Sequence, residues 1–109
     1  MTFGVASMIS PLRKVALRRP GPSLHNADRQ KWHYGPRFDP KKVDQNHTDF
    51  ARILTKAGVE ILWMYEADDG IADAVFTYDA SLMTPRGAIL MAPGKQLRAG
   101  EQELHRQFY

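Results

Sequence analysis

Cysteine is absent from this chain of 109 residues, and that narrows what it can fold into more than any other feature. Disulfide-stapled scaffolds and thiolate metal sites are closed to it, so a hydrophobic core has to hold it together. At this length only one such core is available. Hydrophobic residues make up 43% of the chain and charged residues 25%, which is ordinary globular composition and excludes disorder throughout. The missing thiol also removes any cysteine nucleophile from the chain's own chemistry. No apolar run approaches the roughly 20 residues of a membrane-spanning helix. Residues 1–10 lack the basic leader and apolar stretch of a secretory signal. The absence of acidic residues before Asp28 faintly suggests a transit peptide, but those residues read better as a strand.

The formal net charge of +3 is unevenly spread: residues 1–42 carry net +7 and residues 43–109 net −4. A basic half suits a polyanion and an acidic half suits a cationic ligand. Lys14–Arg19 alternates Val15 and Leu17 with charged neighbours, the period of a half-buried strand. Pro20, Gly21 and Pro22 end it, and a basic, proline-punctuated stretch to Pro40 reads as a long surface loop. Asp39-Pro40 predicts a helix start, a capping carboxylate before proline at the first helical position. Val43, Phe50, Ile53, Leu54 and Ala57 then share one helical stripe with His47. Gly58 predicts a left-handed cap. Val59–Tyr65, Ala74–Asp79 and Gly87–Ala92 read as strands, the last two joined by a turn at Thr84–Gly87. An acidic loop, Glu66–Asp73, separates the first two. A final helical segment carries Leu104 and Phe108 at i, i+4.

The segment Asp73-Ala74-Val75-Phe76-Thr77-Tyr78-Asp79 carries the sharpest chemical signal. As a strand it places Asp73, Val75, Thr77 and Asp79 on one face. Two carboxylates so placed suit a guanidinium, whose planar N–H fork matches carboxylate oxygens bidentately. The same two aspartates also read as turn formers at the strand ends.

Lys14–Gly21 (KVALRRPG), Ala57–Glu60 (AGVE), DAVFTYD, Gly87–Leu90 and Arg98–Glu103 (RAGEQE) occur in the order seen in guanidine-modifying enzymes. Over residues 12–109 the chain resembles the opening portion of the dimethylargininase branch of the amidinotransferase superfamily, close also to arginine deiminases. The resemblance implies an α/β-propeller (pentein) fold, of which this α/β chain would supply the N-terminal units in part, with mixed β-sheet and flanking helices. Residues 1–12 would form a flexible N-terminus and residues 13–109 a single incomplete domain. The resemblance also implies that Asp79 clamps the substrate guanidinium and Asp73 helps hold the amino-acid part. Phe76 would pack beside the substrate chain, and Arg98 would help bind the α-carboxylate. Tyr78 departs from the charged residue usual before the closing aspartate. The Pro20–Pro36 loop is similar to a mobile flap over the site.

The family's nucleophile is a late cysteine and its general acid/base a histidine in the middle of a chain more than twice as long. This sequence has no cysteine, and His25, His33, His47 and His105 do not match that histidine, so no catalytic residue is expected in this chain. The expected function is that of part of an amidinohydrolase acting on arginine or methylated arginine, cytoplasmic, without metal or cofactor, and inactive alone. Two alternatives stand beside it. One is a small non-catalytic α/β binding module for a polyanion or nucleic acid, suggested by the aromatic, basic stretch Arg29–Lys42. The other is a structural or regulatory fragment without a ligand. No helix-turn-helix, RNA-recognition or zinc-finger pattern accompanies the basic stretch, so nucleic acid is not expected as partner. Glu66, Asp68, Asp69 and Asp73 lack calcium-loop spacing. Self-association through exposed propeller faces and marginal stability are expected of an open arc.

Overall fold

The computed structural model describes residues 4–64 and 67–109. Strand β1, Lys14–Arg18, runs parallel to β2, Glu60–Met64, in the register Leu17 opposite Trp63. A parallel pair needs a long crossover, here the short helix α1, Pro22–His25, and the long helix α2, Pro40–Lys56. The ends of α2 stand where the sequence puts them. Asp39 caps the start by accepting from the Lys41 backbone N–H at 3.0 Å. At the other end Gly58, at φ +83°, reverses the chain, with Gly58 N–H donating to Thr55 and Val59 N–H to Leu54. That left-handed turn is open to glycine and strained for a β-carbon. The stripe itself is not all core: Ala51 is buried, while Phe50 and Ile53 are exposed. His47 instead joins α2 to β2, its ring 6.0 Å from that of Trp63.

The expected strand over Ala74–Asp79 does not form. Ala72–Val75 is one turn of 3₁₀ helix, with Ala74 N–H donating to Ile71 and Phe76 N–H to Asp73. Ile71, Ala72, Asp73 and Ala74 are all buried, which a half-buried strand with alternating faces cannot achieve. The hairpin lies further on. Strands β3, Ser81–Thr84, and β4, Gly87–Leu90, pair antiparallel around Pro85-Arg86, so the turn sits where expected with its first strand displaced. A second 3₁₀ turn, Gln96–Arg98, leads into α3, Glu101–Phe108. Tyr65 and Glu66, the ends of the expected second strand and acidic loop, lie outside the described residues.

The result is a mixed α/β fold with two two-stranded sheets. Its core is a cluster of Leu24, Trp32, Ile71, Ala72, Ala74 and Leu104, with Tyr34, Phe38, Val43 and Val75 packed against it. Leu24 and Trp32 belong to the stretch expected to be a surface loop; it is instead a wall of the core, because its aromatic side chains close over the 3₁₀ turn. The accessible surface is 7632 Å², against about 6,100 Å² for a compact monomer of this mass. The radius of gyration is 14.5 Å, against about 13 Å. The fold thus leaves more surface open than its size requires.

Candidate functional site

The 3₁₀ turn exists because the chain reverses just before it, at Asp69 and Gly70, both with positive φ. It delivers Asp73 into the core, where the residue is 4% exposed. A carboxylate so placed needs compensating partners. The Tyr34 hydroxyl donates to Oδ1, and the Lys95 ammonium lies 2.7 Å from Oδ2. Lys95 also donates to the Trp32 carbonyl at 2.9 Å and sits 5.1 Å from the Trp32 ring centroid and 5.8 Å from that of Tyr34. Burial, and then the carboxylate accepting its proton, push the Tyr34 phenol above its ordinary range.

Six residues on, Asp79 faces a different cation. Arg98 Nη1 donates to Asp79 Oδ2 at 2.8 Å and Nη2 to Oδ1 at 2.5 Å. The other edge of the same guanidinium engages Glu101, Nε to Oε2 at 2.6 Å and Nη2 to Oε1 at 2.7 Å. Nη2 is also 3.3 Å from the Phe76 carbonyl oxygen. The Arg98 hydrogen bonds hold the Asp79 carboxyl below its usual value. Glu101, fully buried, is pushed up by desolvation, which the guanidinium opposes. Bonds to Glu101 and then Asp79 raise the Arg98 guanidinium.

The structure therefore joins Asp79 directly to Arg98 and sets Asp73 on a separate cation, instead of aligning both aspartates on one strand face. Phe76 is half exposed and lines an open cleft of about 630 Å³ with Tyr34, Phe38, Val43 and His47. Asp73, Asp79 and Arg98 are not among the residues that line this cleft. Sequence reasoning gives no role to Lys95, reads Trp32 and Tyr34 only as part of the aromatic, basic stretch, and meets Glu101 only within the segment RAGEQE. The Trp32 ring is packed under Lys95 and is not displayed for base stacking. Among the described residues no group of three or more His, Asp or Glu side chains is arranged to hold a metal, and no helix is long and apolar enough to cross a membrane.

His105 is buried behind this site, its Nδ1 2.7 Å from Ser81 Oγ. Burial first, then the Arg18 charge, hold its pKa below 6.5, and burial acts on His47 in the same direction. A histidine depressed in the folded state takes up protons on unfolding. Its neutral form supports the fold above pH 6.5, and stability falls as pH drops below that value. We expect the urea midpoint to be lower at pH 5.5 than at pH 7.5, with His105→Gln reducing that difference. An unchanged difference in the variant would remove His105 from this account.

No family model matches the chain, and no curated protein sequence matches it. Solved structures do. The chain is similar to a dimethylarginine dimethylaminohydrolase solved as an adduct with 4-chloro-2-hydroxymethylpyridine, at TM-score 0.69 and 28% identity, over 89% of this chain and 36% of that one. It is similar to a Pseudomonas aeruginosa DDAH, a cysteine-to-serine mutant complexed with citrulline, at TM-score 0.69 and 27% identity, over 88% and 36%. A histidine-to-glycine dimethylarginine dimethylaminohydrolase adduct with S-methyl-L-thiocitrulline gives TM-score 0.70 and 29% identity, over 89% and 37%. The chain spans just over a third of the length of these enzymes.

Proposed function

We propose that this chain provides the guanidinium-binding part of a cytoplasmic amidinohydrolase that converts arginine or methylated arginine to citrulline. The observation that carries this is the likeness to dimethylarginine dimethylaminohydrolases over 88–89% of the chain, at 27–29% identity. The site geometry is compatible with it. Asp79 already receives one guanidinium edge-on, and its side chain remains 37% exposed, so the outer lone pairs of the carboxylate are open to a second. Phe76 offers an apolar face for the aliphatic part of such a ligand, and Asp73 and Arg98 complete the substrate-binding set. Hydrolysis of a guanidine in this way needs a thiolate to attack the guanidinium carbon, and the chain has no cysteine. The nucleophile would come from residues outside these 109 or from a second chain, and these 109 residues alone form no citrulline. The open surface of the fold fits one part of an α/β-propeller. The exposed pair Leu82 and Ile89 on the hairpin would then seat against a neighbouring unit or another copy. A free-standing polyanion module is not favoured, since the likeness is to guanidine hydrolases.

Titrating the labelled chain with L-arginine and with asymmetric dimethylarginine tests the reading. A charge-assisted hydrogen bond contributes roughly 1.5–3 kcal/mol, so Asp79→Asn should weaken binding by about tenfold or more. Equal binding by wild type and Asp79→Asn, or none by the wild type, would refute the assignment.

A further inference from the structure

We propose that Lys95 is a specificity-determining residue: it supplies from within the chain the ammonium partner of Asp73, so that the site takes ω-guanidino carboxylic acids whether or not they carry an α-amino group. The proposal rests on the reading of this chain as a guanidine-binding one in which Asp73 meets the amino end of the ligand. Asp73 is 4% exposed, and a carboxylate at that depth has to keep a positive partner. Both of its oxygens are engaged, Oδ1 by the Tyr34 hydroxyl and Oδ2 by the Lys95 ammonium at 2.7 Å. An α-ammonium that came to Asp73 would have to take the place of Lys95.

The surroundings of Lys95 are those of a site for a primary ammonium. Its N–H groups donate to the Asp73 carboxylate and, at 2.9 Å, to the Trp32 carbonyl. The Trp32 and Tyr34 ring centroids lie at 5.1 and 5.8 Å, within the range at which a cation is attracted to a ring face. These partners are held by the core: Asp73 and Trp32 are buried, and Tyr34 packs against the central cluster. Lys95 instead reaches in from the loop before the second 3₁₀ turn on a flexible four-carbon stem, and its side chain is 30% exposed. It can leave toward water while Tyr34 stays on Asp73. The exchange sets one ammonium in place of another, so the charge-assisted bonds at Asp73 are unchanged in number and the ligand gains little from its amino group. A ligand without that group leaves Lys95 where it is and loses nothing. Removing Lys95 should therefore create a preference for the amino acid that the wild type lacks.

The test compares L-arginine with δ-guanidinovalerate, the same molecule without its α-amino group, as ligands of the full chain and of Lys95→Met. The wild type should bind the two within about threefold of each other, while Lys95→Met should prefer L-arginine by at least about tenfold, the effect of one charge-assisted hydrogen bond. In Asp73→Asn, Lys95→Met that preference should disappear. A second measurement needs no variant to fold. Saturating the wild type with L-arginine should move the Lys95 side-chain amine NMR signal to the position of a solvent-exposed lysine, and δ-guanidinovalerate should leave it in place. A wild type that already prefers L-arginine tenfold would overturn the proposal, as would a Lys95 signal unmoved by L-arginine or the same preference in wild type and Lys95→Met. Should Lys95→Met lose its dispersed spectrum, the two wild-type measurements decide. If both guanidines bind but Lys95 makes no difference, the specificity role alone fails. If neither guanidine binds the wild type or Lys95→Met, the functional reading fails and this role fails with it.

Discussion

Replacing Arg98 by alanine is expected to cost the fold about 3–5 kcal/mol, the usual effect of removing one partner from a buried ion pair. The reason lies in what remains. Glu101 is completely buried, and without Arg98 its carboxylate would have to stay charged in the interior or take up a proton. Asp79 loses its partner too, but its half-exposed side chain can turn to water. Domains of this size are stable by only about 5–15 kcal/mol, so Arg98→Ala should unfold at much lower urea than wild type or be unfolded without it. The double variant Arg98→Met, Glu101→Leu should recover part of the loss, since it removes the buried charge along with its partner. A single variant within 1 kcal/mol of wild type would show that the pair carries no structural weight.

The second large effect is expected at Leu104. It is 2% exposed and is the residue through which α3 joins Leu24, Trp32, Ile71, Ala72 and Ala74. Leu104→Ala should cost about 2–5 kcal/mol through lost burial and the cavity left behind, whereas Leu104→Met should cost less than about 1.5 kcal/mol. Because α3 carries Glu101 at its first turn, the alanine variant should also loosen the Arg98 fork. Urea melts of the two variants, together with a carboxyl-carbon NMR titration of Asp79, check both consequences. Equal midpoints for alanine and methionine would place the core elsewhere.

The two 3₁₀ turns and the cation pairings explain why the site was only partly legible in the sequence. DAVFTYD alternates like a strand, a pattern that places its two aspartates on one face. The alternation is overridden because Ile71 to Ala74 are buried in succession in the cluster with Trp32 and Leu104, an environment that no seven-residue pattern records. Lys95 reads as a lone charge in a loop and Tyr34 as one ring of a basic, aromatic stretch, yet they neutralise and cover Asp73. The exposed Phe50 and Ile53 show the converse: a helical stripe marks apolar residues, and neighbouring elements determine which of them are covered.

What the sequence determined by itself was local or chemical. The capping aspartate, the proline after it and Gly58 set the limits of α2 through contacts within a few residues. Thr84–Gly87 specified its turn in the same way, and the absence of cysteine excluded a thiol mechanism within the chain. Only the tertiary structure decided the charge pairings. Tyr34 meets Asp73 across 39 residues, Lys95 meets Asp73 across 22, and Arg98 meets Asp79 across 19. Such pairs form where core packing brings distant segments together and excludes water, so that each buried charge must take the partner that the fold places beside it.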